Sequence, residues 1–149
     1  MAKEDVKIRK SKEYSNDYLD KLRHSCAHLL AAAVIELWPQ AKRTIGPPIE
    51  NGFYYDFDFG NTEIKDENLA KIENKMSEIL KTWKNFERRQ VSLGEAKKLF
   101  KENKYKLELI DEFSKEGQKL TIYRSRDYID LCRGGHVDNP AKEIGAFKL

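Results

Sequence analysis

Apolar residues recur at three- and four-residue steps over residues 16–38: Leu19, Leu22, Cys26, Leu29, Leu30, Ala33, Val34 and Leu37, with Pro39 closing the segment. This spacing predicts an amphipathic helix, and a proline is a natural stop for it. At 100° per residue His24 and His28 fall together on the opposite side, with Ala31, Ala32 and Ile35 rather than charges, so the second face is expected to be covered too. Cys26 points into the apolar stripe and reads as a small core residue. The period then changes to two. Phe53, Tyr55, Phe57 and Phe59 alternate with Tyr54, Asp56 and Asp58, and Asn51-Gly52 separates them from residues 45–49, which predicts a β-hairpin with one aromatic face. Gly46-Pro47-Pro48 makes the first strand an edge strand or an irregular lead-in, because proline donates no ladder hydrogen bond.

Leu69, Ile72, Met76, Ile79, Leu80 and Trp83 predict a second amphipathic helix over residues 66–83. Residues 86–91 read as a strand, and Ser92-Leu93-Gly94-Glu95 matches a capping box that starts a short helix running to about residue 102. Residues 105–113 are ambiguous between helix and strand. Two short β-type runs follow, 120–123 and 128–131, and the second leads directly into Cys132-Arg133-Gly134-Gly135-His136, a tight glycine loop. Residues 1–15 are polar and aperiodic and read as a flexible arm or linker remnant, leaving residues 16–149 as one domain. The order of elements predicts an α+β fold, a mainly antiparallel sheet packed against the long N-terminal helix and further helices.

A chain of 149 residues with 40% hydrophobic and 36% charged positions is long and apolar enough for a single core. No apolar run approaches the ~20 residues that cross a bilayer, and nothing at the start resembles a signal peptide, so a cytoplasmic chain with no membrane partner is expected. Cys26 and Cys132, far apart in such a chain, are expected to be reduced thiols. A formal charge of +3 permits a nucleic-acid partner without arguing for one.

The candidate chemistry lies in the three histidines, all of which fall in two motifs of like spacing, His24-Ser-Cys-Ala-His28 and Cys132-Arg-Gly-Gly-His136. An i, i+4 pair sets two imidazoles side by side on a helix, able to hold one metal ion or one water. A cysteine and a histidine on a glycine turn can approach the same point from the other side. A metalloprotease would need glutamate where Ser25 stands, and structural zinc sites draw on closely spaced cysteine pairs that are missing here. A hydrolytic, water-handling site or a binding site for a small polar ligand is left.

These motifs, together with Leu37-Trp38-Pro39, the run Gly46-Pro-Pro-Ile-Glu-Asn-Gly-Phe-Tyr-Tyr-Asp-Phe57, and Asp130-Leu-Cys-Arg-Gly-Gly-His136-Val137, resemble the editing domain of bacterial-type threonyl-tRNA synthetases. The paired histidine motifs are shared with the wider family of threonyl- and alanyl-tRNA editing domains, and the Gly-Phe-Tyr-Tyr-Asp run favours the threonyl branch. The resemblance implies hydrolysis of the ester joining serine to the acceptor end of threonine tRNA. It places His24, His28, Cys132 and His136 at the centre, with Lys106, Asp130 and Tyr55 around it. His24 with Lys106 would activate water, Asp130 would take the α-amino group of the seryl moiety, and Tyr55 would contact the terminal adenosine. The threonyl branch implies no required cofactor, whereas the alanyl-editing relatives look like zinc proteins, and zinc at His24, His28, Cys132 and His136 stays open. The full-length enzyme of this family implies a homodimer, and an isolated domain a monomer. The family's usual flanking domains are not in this chain, which reads as an excised domain or a truncated relative. Two alternatives stand beside this reading: a free-standing zinc-dependent alanyl-tRNA editing hydrolase, and a non-catalytic tRNA-binding module.

Overall fold

A computed structural model of the chain describes residues 16–46 and 48–149; the arm expected over residues 1–15, and Pro47, lie outside the described residues. The long helix forms as its periodicity requires. It is α1, Asn16–Leu37, and both faces are covered, with Leu29, Ala31, Ala33 and Val34 buried on its way through the molecule. Cys26 is in the core beside them. The Trp38 amide still bonds Val34 O at 2.7 Å, after which Pro39 ends the helix.

The expected hairpin is present but broken into two short ladders. Strand β1 (Lys42–Arg43) pairs with β4 (Phe57–Asp58), and β2 (Pro48–Ile49) pairs with β3 (Gly52–Phe53), the register slipping by one residue between them. The two loop positions are Glu50 and Asn51, and Gly52 opens β3. The irregular lead-in is thus seen, and the aromatic face holds. Tyr55 is buried and Phe53, Phe57 and Phe59 pack on the α1 core, while Tyr54 is exposed.

Helix α2 (Asp66–Leu80) lies against α1 through Ile72 and Met76 and stops one turn short of Trp83, which is buried in the same core. Strand β5 (Glu87–Val91) leads into α3 (Leu93–Leu99), where Ser92 Oγ accepts from the Glu95 amide at 3.2 Å. The expected capping box is only half made: the Glu95 carboxylate turns to Arg89 instead, and the helix ends before residue 102. Residues 105–113 prove helical, inside α4 (Lys104–Lys115). Asn103 caps it by accepting from the Tyr105 and Lys106 amides, and donates to Arg43 O at 2.8 Å, which ties the start of α4 to β1.

Strands β6 (Leu120–Ser125) and β7 (Tyr128–Leu131) complete an antiparallel sheet of order β5-β6-β7, and α5 (Pro140–Glu143) follows. The fold is therefore α+β and antiparallel throughout, with three small sheets in place of one broad one. One face of β6 and β7, bearing Leu120, Ile122 and Leu131, closes a second core with Ala96 of α3, Phe100 at its C-terminal cap and Ile110 of α4. Tyr128, on the other face, belongs to the α1 core. The register sets Tyr123 beside Asp130 on that same α1-facing side, and β7 is an edge strand, which leaves Asp130 within reach of both α1 and α4.

Candidate active site

The two histidine motifs meet. One nitrogen from each of His24, His28 and His136 and the sulfur of Cys132 all lie within 4.8 Å of one another. Helix α1 sets His24 Nε2 3.2 Å from His28 Nε2, and the glycine loop after β7 sets Cys132 Sγ 3.3 Å from His136 Nε2. The His136 ring is sandwiched, its centroid 4.2 Å from that of His24 on one side and 4.3 Å from that of Phe86 on the other. Gly134 and Gly135 make this turn possible, with φ of 106° and 88°. A Cβ on Gly134 would lie 2.3 Å from the Tyr123 hydroxyl oxygen. Gly134→Ala therefore meets both backbone strain and a clash, and is expected to cost about 1–3 kcal/mol in urea unfolding; an unchanged midpoint would show that the loop relaxes freely.

Lys106 and Asp130 form the buried counterpart of the cluster, at 2% and 1% exposed. Asp130 Oδ1 receives Lys106 Nζ at 2.8 Å and the Leu131 amide at 2.8 Å, with an Arg43 guanidinium nitrogen at 3.6 Å. Oδ2 accepts from the Tyr55 hydroxyl at 2.5 Å and the Tyr128 hydroxyl at 2.8 Å, and His28 Nδ1 is 3.5 Å away, off the hydrogen-bonding direction. Lys106 also donates to the Tyr55 oxygen at 2.9 Å. Two cations thus share one carboxylate, and this buried group carries a net positive charge.

The electrostatics follow from burial and from that charge. Burial alone would raise the Asp130 carboxyl, but Lys106 and Arg43 outweigh it and hold the group well below the usual carboxylate range. Burial draws Lys106 below the ordinary lysine value, with Asp130 opposing. Burial lowers His24, lowers His28 to about 3, and lowers His136, so all three rings are neutral at pH 7. The Cys132 thiol is pushed up to about 12, by burial first and by the Asp130 charge second.

These shifts make stability depend on pH with a definite sign. Between about pH 6.5 and the depressed folded values, the unfolded chain binds protons at these histidines that the folded chain refuses, so stability is lost as the pH falls. His28 alone accounts for about 2 kcal/mol between pH 7 and pH 5. The expected urea midpoint is flat between about pH 7 and pH 8 and falls steadily below pH 6.5. A midpoint equal at pH 7 and pH 5 would contradict it.

The cluster opens on a cavity of about 540 Å³. His24, His28, Lys106, Asp130, Tyr55 and Cys132 all line it, and Leu109, Phe113, Leu131 and Ile45 give it apolar walls. Every residue that the sequence singled out is thus at one place. Sequence reasoning missed Arg43, Tyr128 and Ser25, which hold that group together: Arg43 and Ser25 act through contacts distant in sequence, and Tyr128 donates to Asp130 two residues on. Only the Asn103 cap, three residues before Lys106, carried a local signal for the helix that delivers the lysine.

The four-residue cluster also suits a metal. Tetrahedral zinc with nitrogen and sulfur ligands would need ligand atoms roughly 3.3–3.6 Å apart; the spacings within the two motifs, 3.2 and 3.3 Å, are close to this, and the four atoms together lie within 4.8 Å. The other nitrogen of His136 faces Ser25, the kind of outer contact that orients a metal-bound imidazole, whereas that of His28 makes no hydrogen bond to Asp130. Against this, the thiol would have to give up a proton that its surroundings hold.

No family model matches the chain. Curated relatives do. It is 50% identical over 137 residues to the threonine-tRNA ligase of Borrelia garinii subsp. bavariensis, a match that covers 91% of this chain and 23% of that protein. It is 51% identical over 132 residues to that of Borrelia duttonii, covering 88% of this chain and 22% of the relative, and 50% identical over 128 residues to that of Rubrobacter xylanophilus, covering 86% and 19%. The chain is therefore similar, over most of its length, to one segment of threonine-tRNA ligases, and spans less than a quarter of the relatives it matches. Among the described residues no helix is long and apolar enough to cross a membrane.

Proposed function

We propose that this chain is the editing domain of a threonyl-tRNA synthetase and hydrolyses the ester that joins serine to the acceptor end of threonine tRNA. The observation that carries the reading is the convergence of His24, His28, Cys132 and His136 on one point, beside a cavity lined by the first three of them and by the buried Lys106. The similarity to threonine-tRNA ligases supports the choice of tRNA and favours it over the alanyl-type alternative. A synthetic site for threonine gains only ~1–3 kcal/mol from one methyl group and cannot reject serine by size, so a second pocket that admits the smaller residue and crowds the larger one meets a real chemical need.

In this reading the ester lies in the cavity between His24 and Lys106. His24, neutral because burial disfavours its charged form, accepts a proton from the attacking water, and its lowered pKa keeps that form available below pH 6.5. Lys106 supplies positive charge where the tetrahedral oxyanion develops. The net positive charge it shares with Arg43 and Asp130 exists before substrate arrives, which is what electrostatic preorganisation requires. The roles of Asp130 and Tyr55 shift from substrate contact toward support. Both Asp130 oxygens already accept from protein donors, and the Tyr55 hydroxyl bridges Asp130 and Lys106. Asp130 then fixes Lys106 and keeps it charged, and Tyr55 offers its ring to the ligand.

The proposed reaction uses side chains and water and requires no cofactor. Were zinc held by His24, His28, Cys132 and His136, it would supply a Lewis acid and a more acidic bound water. Deacylation of seryl-tRNA made with threonine tRNA and with alanine tRNA, each with and without a chelator, tests the reading. Chelator-resistant hydrolysis that favours threonine tRNA is expected. Chelator-sensitive hydrolysis that favours alanine tRNA would return the alanyl-type hydrolase, and no acceleration on either would return the non-catalytic module.

A further inference from the structure

We propose that Ser25 is a positioning residue that fixes the tautomer of His136 and pins the glycine loop to α1. Ser25 is fully buried, one residue after His24. Its Oγ has three polar neighbours: Lys21 O at 2.8 Å, the Val137 amide at 3.1 Å and His136 Nδ1 at 3.2 Å. A hydroxyl has one hydrogen and two lone pairs. A carbonyl only accepts, so the hydrogen goes to Lys21 O. An amide only donates, so Val137 N–H takes one lone pair. The remaining lone pair faces His136 Nδ1, and that contact is a hydrogen bond only if the ring nitrogen bears the hydrogen.

His136 is thereby held as its Nδ1–H tautomer. Its Nε2 lone pair points at Cys132 Sγ, 3.3 Å away and within the cluster. The rings of His24 and Phe86 grip both faces of the imidazole, so tilting is blocked and the edge contacts decide which nitrogen presents a lone pair to the cluster. The same oxygen spans 112 positions of sequence by accepting from Val137, so one side chain aligns the loop motif with the helix motif. Without the hydroxyl, the Val137 amide and the His136 Nδ1–H lose their common acceptor in the interior, and the Nε2–H form, which turns a hydrogen toward the cluster, becomes competitive.

The tautomer follows from the proton inventory alone; its consequence for catalysis rests on the proposed hydrolysis. Long-range 1H–15N correlation spectra of the 15N-labelled chain at pH 7.5 report the tautomer directly. The Nδ1–H pattern is expected for His136, and the Nε2–H pattern in the wild-type chain would overturn the inference whatever the activity. Ser25→Ala is expected to mix the two patterns and to lower kcat for seryl-tRNA deacylation about 10- to 100-fold, as loss of such outer contacts does. KM should stay within roughly twofold, because binding groups are untouched. Ser25→Thr, which keeps the hydroxyl, is expected to retain the Nδ1–H pattern and most of the rate. A Ser25→Ala chain with a pure Nδ1–H pattern, or with wild-type kcat, would overturn the positioning role. If Ser25→Ala does not fold, the wild-type and Ser25→Thr spectra still decide. A wild-type chain with the Nδ1–H pattern and no deacylation would retire the proposed function and leave the tautomer assignment standing.

Discussion

Replacing Lys106 with methionine, which preserves volume and removes charge, is expected to lower single-turnover deacylation of seryl-tRNA by about 10²–10³-fold, the usual cost of deleting one preorganised donor at a developing oxyanion. It is also expected to cost stability. Removing one partner of a buried ion pair is worth about 3–5 kcal/mol, and the lower end applies here because Arg43, Tyr55, Tyr128 and the Leu131 amide still hold the Asp130 carboxylate. Paired urea unfolding and deacylation measurements separate the two effects, since the rate is read where the variant is still folded. A Lys106→Met chain that keeps its rate would remove the lysine from the chemistry, however large the stability loss.

His24→Ala is expected to show the opposite balance. Loss of a general base lowers the rate by about 10²–10⁴-fold. Stability should change by only about 1 kcal/mol, because His24 is half-buried at the cavity wall and no strand or helix depends on it. The remaining activity should also lose the acid limb that a base contributes to the pH profile. In the wild-type chain that limb lies below pH 6.5, in keeping with the lowered His24 pKa. A variant with an intact fold and a rate within a few fold of wild type would assign water activation elsewhere, with His28, whose Nε2 is 3.2 Å away, the other imidazole that lines the cavity.

The expected results depend on features that were unequally visible in the amino-acid order. Helix α1 and its two faces were legible because a 22-residue amphipathic period leaves little room for another reading. The motif pair was legible because a chain with three histidines placed all of them in two like-spaced couples. Helix α4 was not. Its first turn carries Lys104 and Lys106, where the helix dipole disfavours positive charge, so local propensity argues against a helix start there. The compensation comes from Asp130, in a strand 24 positions further on, and no window of local sequence contains both.

The same physics explains the other differences. The aromatic alternation from Phe53 onward located one arm of the hairpin, but the first arm pairs from Lys42, three residues earlier than the apolar run, and brings Arg43 against Asp130. An arginine inside a two-residue strand gives no hint of burial until its partner is known. Ser25 attracted notice only as a position lacking glutamate. Its hydroxyl becomes informative once Val137 and His136 are seen across it, more than 100 positions away. Asp130 stood out by its place ahead of Cys132, yet only the structure shows how many protein donors already occupy its oxygens.

The proposed sieve is tested most directly by presenting the chain with the same threonine tRNA charged with serine and with threonine, under single-turnover conditions, and following release of each amino acid. Rapid release of serine, with threonine released no faster than in the absence of protein, is the expected result. Equal rates for the two amino acids, or no acceleration for serine, would contradict it.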